Sequence, residues 1–352
     1  MNNNIVINQI PSPTWSWLKM DSSNIDLPTD FKQVLPSVEG GEKVVVSKLN
    51  GTSIEFNGKV SGVGKEIEEL FANCEGISLT IPKNTVLTEP VVLNYTVHDK
   101  DYNGQTIIAE ENSTSTIIIL SASDKKEGMQ ALNTKVIAKS GAIINIQKVQ
   151  LLPDGFVQVD ETSSYVAENA TVNLKHIVLG GAKTFVGVGT DLREYKGTFN
   201  SDLAYFCKDN QELDLNYIVY HYGKKTNCLM HVDGTLKDNA KKTYRGTIDF
   251  KIGCSGSVGE EQEETLLLSP SVINNSIPVI LCDEEDVSGE HGASIGRLAE
   301  DILFYMQSRG MDKKACEDAI ARAKIQRLVS FINNEKVLAE IEKTMNTLFE
   351  EQ

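Results

Sequence analysis

A chain of 352 residues with 40% hydrophobic and 24% charged positions can bury a substantial core, which excludes wholesale disorder and describes an ordinary globular protein. Its formal net charge of −15, with no lysine- or arginine-rich run, sets the surface against a phosphate backbone and argues against nucleic acid as a partner. No stretch approaches the ~18 apolar residues of a membrane span, and the N-terminus has neither the basic region nor the apolar run of an export signal, so a cytoplasmic protein is expected.

Residues 1–75 read as a small mixed α/β region. Pro11, Pro13, Pro28 and Pro36 break up its first part and disfavour long helices. The run EKVVVSKLNGTSIEFNGKV alternates like a hairpin with Asn50-Gly51 at its turn, and GKEIEELFANC puts Ile67, Leu70 and Phe71 on one side of a short helix. SGVGKEI (Ser61–Ile67) lacks the spacing of a phosphate-binding loop, so no nucleotide is expected on this chain.

Residues 76–295 change texture: short β-branched runs recur between Gly, Asn, Asp and Ser. Three of them share one pattern, Ile144–Leu151, Val172–Leu179 and Leu213–Tyr220, and Ile248–Ile252 repeats its first half. The pattern predicts paired short strands with inward aliphatics and corners near Lys148, His176 and Tyr217. Such repeats bury their apolar faces only by stacking, which predicts a β-helix, with a β-sandwich as the competing arrangement. The unequal spacing of the three runs requires loops of different length or an intervening coil.

Residues 296–352 are helical. RLAEDILFYMQSRG aligns Leu298, Ile302 and Met306 and stops at Arg309-Gly310; Asp312 can cap a second helix carrying Ala315, Ala319, Ile320, Ala323, Leu328 and Phe331. Asn334 can cap a third with Leu338, Ile341, Met345 and Leu348 in register. LFYM is apolar over adjacent positions, more than one packed stripe requires, so Leu298, Ile302, Leu303, Phe304, Tyr305 and Met306 form a candidate docking surface.

Four spaced motifs then occur in order: RGTI (Arg245–Ile248), EQ followed by LLLS (Glu261 to Ser269), an acidic strand leading to HGA (His291–Ala293), and LFY..SRG (Leu303–Gly310). Together with PTWSWLKM (Pro13–Met20), they resemble the SufB/SufD family of iron–sulfur cluster assembly proteins, on its SufD side. The resemblance implies a right-handed parallel β-helix with small flanking regions and a non-enzymatic scaffold role. It implies pairing with a SufB-like paralogue or with itself, and docking of a SufC-like ABC ATPase by the C-terminal helices. It places His291 at the subunit interface, handling iron or a transient cluster shared with the partner. Many family members carry a cysteine two residues before this histidine, where this chain has Gly289, and Glu290 makes the motif closer to its SufB form. LSPSVINNS, which we align with the SufB cluster-cysteine position, contains no cysteine.

The residue chemistry stands beside that resemblance. Neutral imidazole suits borderline iron, and Glu290 adds a hard oxygen donor. Neighbours in a strand point to opposite faces, so a partner must complete such a site. Cys282 joins His291 and Glu290 as a candidate ligand because it lies close to them in sequence; the acidic run Asp283–Asp286 reads as a solvated turn. Cys228 and His231 have a spacing that binds metal in a tight turn but not in a strand. Cys74, Cys207, Cys254 and Cys316 read as core or neutral, and without a CxxC pair all six cysteines are expected as free thiols. A β-helical polysaccharide-acting enzyme is the rival function, which the absence of an export signal and of a repeated Asp or Arg ladder disfavours.

Overall fold

The computed structural model describes residues 2–14, 16–28, 30–50, 60–71 and 74–350. In the N-terminal region β1 (Asn2–Ile7) and β2 (Ser23–Pro28) pair antiparallel, while β3 (Lys32–Gln33), β4 (Ser37–Glu39) and β5 (Val45–Asn50) join the sheets that follow. A short α-helix, α1 (Lys65–Phe71), contributes Ile67 to a buried cluster. The first arm of the expected hairpin forms β5, which lies antiparallel to the next strand with Val45 opposite Thr80; the turn and second arm, Gly51–Lys59, fall outside the described residues.

From Glu75 onward, β-forming runs of six to twelve residues alternate between two sheets. One holds β6 (Glu75–Ile81), β8 (Lys100–Ala109), β10 (Glu127–Ala138), β12 (Gly155–Val166), β14 (Lys183–Leu192), β16 (Glu212–His221), β18 (Lys241–Phe250) and β20 (Ile273–Cys282) in that spatial order. The other holds β7 (Val91–Thr96), β9 (Thr114–Ala122), β11 (Ile143–Leu151), β13 (Thr171–Val178), β15 (Thr198–Cys207), β17 (Asn227–Leu236), β19 (Ser257–Leu267) and β21 (Val287–Gly296). Within each series every neighbouring pair is parallel. The chain is therefore a parallel β-solenoid. Val157 pairs with Lys183 and Lys241 with Ile273, so one turn takes 26 to 32 residues.

One corner shows why the period holds. Asn84, Asn112, Gly141, Asn169, Lys196, Lys225 and Gly256 all have positive φ, one in each successive turn. Their N–H groups donate to Glu111, Ser140, Glu168, Tyr195, Lys224, Ser255 and Asp286 carbonyls, one turn further on. A left-handed residue reverses the chain tightly, and Asn and Gly adopt that conformation at least cost. Between corners, inward side chains stack in columns; Ile144, Val172, Phe199 and Cys228 form one that is no more than 1% exposed. Full burial of each such large apolar side chain stabilises by about 1.5–3 kcal/mol.

Two features of the repeat differ from expectation. Each motif runs as one continuous strand, so Lys148, His176 and Tyr217 are buried mid-strand positions rather than corners. Ile144 and Val172 are stacked in register, but Leu213–Tyr220 lies in the opposite sheet, because a two-sheet coil uses the same alternation on both sides. The interior also contains charge: Lys148 donates to Asp160 and to Thr162 Oγ1 at 2.6 Å, and His176 Nε2 lies 3.5 Å from Asp160. Burial holds the Lys148 amine and the His176 imidazole below their ordinary pKa values.

Both flanks are tied across the solenoid. Ile7, Leu27, Val63 and Ile67 pack on Tyr102, Met129, Val159 and Phe185. Gly62 and Val63 N–H donate to the buried Glu161 carboxyl at 3.1 and 2.6 Å, and Arg245 links Asp214 to Met20 O and Ser23. At the other end come α2 (Glu300–Ser308), α3 (Lys313–Val329) and α4 (Glu335–Glu350). Asp312 caps α3 by accepting from Ala315 N at 2.7 Å, and Asn334 accepts from Val337 N at 3.1 Å. The buried face of α3 is rotated from the expected one: Cys316, Ala321, Ile325, Leu328 and Val329 are buried, whereas Ala315, Ala319 and Phe331 are exposed. This face meets Ile177, Ala204 and Phe206 of the sheet, and Arg327 makes paired bonds to Asp202 at 2.6 and 2.8 Å. Leu338, Ile341, Met345 and Leu348 do line the packed side of α4.

Candidate functional site

A stacked coil has two ends, and its last turn has a neighbour on one side only. Here that turn is β20 and β21. Half-buried Val287 begins β21, and every residue from Ser288 to Gly296 is exposed. Glycines reveal which way the strand faces. A Cβ added at Gly289 would lie 3.0 Å from Phe250 and 3.2 Å from Ile280, and one at Gly259 2.7 Å from Ile248, whereas one at Gly292 would meet nothing within 4 Å. Gly289, His291 and Ala293 therefore sit on the inner side of the last turn, and Glu290 and Gly292 on the outer side. No later turn covers His291.

The structure separates the three candidate ligands. Glu290 and His291 occupy opposite faces. Cys282, at the end of β20, is exposed, and its thiol donates to Glu284 O at 3.0 Å. The acidic run is more than a solvated turn: Gly253 N donates to Glu284 Oε2 at 2.9 Å and Ser255 Oγ to Asp286 Oδ2 at 2.6 Å, stacking it on the preceding corner. Among the described residues no three His, Cys, Asp or Glu side chains converge on one point.

Directly beneath lies a group the sequence reading missed. Glu261 is the register partner of His291, and on β18 Tyr244, Gly246 and Lys242 surround it and its neighbour Glu263. Burial, reinforced by Glu263, pushes the Glu261 carboxyl up to about 8. Glu263 is held differently, accepting from Lys242, Ser276 and Thr265. Glu261 precedes His291 by one full turn, so a period of about thirty residues was the signal that could have linked them.

Cys228 and His231 do not form a site. Cys228 faces inward, 3.3 Å from His221 Nε2, and burial pushes its thiol up to about 12 and lowers His221 to about 3. His231 faces outward to Asp202, 3.1 Å away.

Beside the open end, no residue of α2 is buried. Ile302, Phe304 and Tyr305 are exposed, Phe304 by 74%, and Leu298, Leu303 and Met306 are half-buried. Leu298 and Leu303 line a shallow groove with Leu267, Leu268 and Pro270.

Residues 97–324, from just before β8 into α3, match the family model described as SUF system FeS cluster assembly, SufBD core domain. The chain belongs to the SufB/SufD family. The family match contains the open end and all of α2: RGTI falls on β18, EQ on β19, LLLS across the C-terminal end of β19, HGA on β21 and LFY on α2. The iron–sulfur cluster assembly protein SufD of Bacillus subtilis (strain 168) is 24% identical over 287 residues, covering 78% of this chain and 63% of its own length. A SufBD family protein of Staphylococcus saprophyticus is 21% identical over 257 residues, 71% of this chain and 55% of its own. One of Synechocystis is 28% identical over 113 residues, 32% of this chain and 23% of its own. The chain thus spans less than two thirds of the length of these relatives.

Proposed function

We propose that this SufB/SufD-family chain is a non-catalytic scaffold subunit in iron–sulfur cluster assembly. It pairs with a SufB-like paralogue, or with a second copy of itself, through the β20–β21 end. It docks a SufC-like ABC ATPase on α2 and binds no nucleotide itself. His291, with Glu290 and Cys282 as further candidate ligands, handles iron or a transient cluster shared with the partner. The observation that carries this reading is the open last turn, which leaves a row of strand hydrogen-bonding groups, the edge of an apolar core and an exposed imidazole on one surface. An uncovered strand edge of this length invites pairing, and α2 beside it exposes apolar area that no intramolecular contact uses.

The test is co-purification and cluster reconstitution with the full chain, the paralogue and the ATPase. Replacing Phe304 and Tyr305 together by Asp is expected to abolish ATPase recovery while leaving the melting temperature unchanged. His291→Ala is expected to lower cluster yield without dissolving the complex. Full ATPase recovery would refute docking on α2, and full cluster yield in an intact complex would refute the role of His291.

A further inference from the structure

We infer that Glu261, and not the sequence neighbour Glu290, is the carboxylate that holds a ferrous ion together with His291 at the open end. This rests on the reading of His291 as an iron-handling residue and specifies the donor set that this chain contributes.

The argument begins with register. Glu261 and His291 are direct partners in the parallel β19–β21 pair, so their side chains leave the sheet on the same face, with strand axes about 4.8 Å apart. The inward positions of Gly259 and Gly289, two residues before each, fix that face as the inner one. Glu290 pairs with Glu260 on the outer face and cannot reach the same ion. An imidazole and a carboxylate on adjacent strands form the mixed nitrogen and oxygen set that suits a divalent first-row ion, whose bonds to such ligands are about 2.0–2.2 Å.

The surroundings of Glu261 supply a second line. Its residue is 3% exposed, yet Oε2 has no hydrogen-bond partner. The fully buried Tyr244 hydroxyl lies within reach of this carboxyl and can donate to it. A carboxylate has about four lone-pair sites, and a single hydroxyl donor leaves capacity on it for an ion. Gly246 makes room for the carboxyl itself, since a Cβ there would lie 2.4 Å from the Glu261 carboxyl carbon. Glu263 lacks this freedom, because Lys242 and Ser276 already occupy its oxygens. Two donors from this chain leave the remaining coordination positions directed off the end of the solenoid, where a second subunit would supply them.

Co2+, a spectroscopic substitute for Fe2+, is titrated into the full chain and followed by visible absorption and calorimetry. His291→Ala and Glu261→Gln are each expected to weaken binding at least ten-fold, and the double variant to lose little more than either alone. Glu290→Gln is expected to change it less than two-fold. Loss on His291→Ala without loss on Glu261→Gln, or a large effect of Glu290→Gln, overturns this inference while leaving the role of His291 intact. Unchanged binding in His291→Ala overturns both, and no binding by the wild-type chain overturns this inference. Should Glu261→Gln fail to fold, anomalous scattering from Co2+-soaked wild-type crystals decides: a peak bonded to Glu261 and His291 supports the assignment, and one on the Glu290 side overturns it.

Discussion

Glu261 makes a prediction about stability that is independent of any metal. Its carboxyl is raised from an ordinary 4.5 to about 8, chiefly by burial and then by the neighbouring Glu263. A raised carboxyl binds its proton more tightly in the folded than in the unfolded chain. Its contribution to stability is therefore complete below the unfolded value near 4.5 and is lost as pH rises towards 8. Across that window the loss is about 1.4 kcal/mol per pH unit and totals about 5 kcal/mol. Glu261→Gln is isosteric and does not titrate, so its stability should be free of this slope. Urea unfolding of both proteins at half-unit steps from pH 5 to pH 8, without metal, measures the difference. The variant should gain on the wild type by about 3–4 kcal/mol over that range, roughly doubling the midpoint shift between its mid-point and its upper end. A constant difference across the whole range would show that the carboxyl is hydrated in the folded chain, and would refute the burial argument.

Two other outcomes test the packing. Cys282 is exposed whereas Cys228 is buried with its thiol raised to about 12, so in the native chain iodoacetamide should modify Cys282 and spare Cys228; comparable labelling of both by peptide mass spectrometry would contradict the buried His221–Cys228 pair. A Cβ on Gly187 would lie 2.1 Å from Val63 N, so Gly187→Ala should cost about 1–3 kcal/mol and free the N-terminal region for limited proteolysis, and an unchanged digestion pattern would contradict the close approach.

Much of the fold was written locally. The alternation in Ile144–Leu151 and Val172–Leu179 announced stacked coils, because a strand that buries one face needs only its own period of two. Asp312 and Asn334 announced their helices through chemistry that acts within three residues. The motifs on β18, β19, β21 and α2 carried the family, since each is a short string of side chains fixed by its own turn or strand.

Tertiary structure decided whatever depends on which turn lies above which. The third repeat fell into the opposite sheet because both walls of the coil obey the same alternation. The buried face of α3 followed the sheet it covers, with Cys316 and Ile325 inward and Ala315 outward, because its weak apolar periodicity left Arg327–Asp202 and Phe206 to set the rotation. The sequence placed Glu290 beside His291, but the strand sends them to opposite faces. One turn of the solenoid brings Glu261 under the imidazole from thirty residues away, since adjacency in a parallel stack is set by the length of a coil and not by position along the chain.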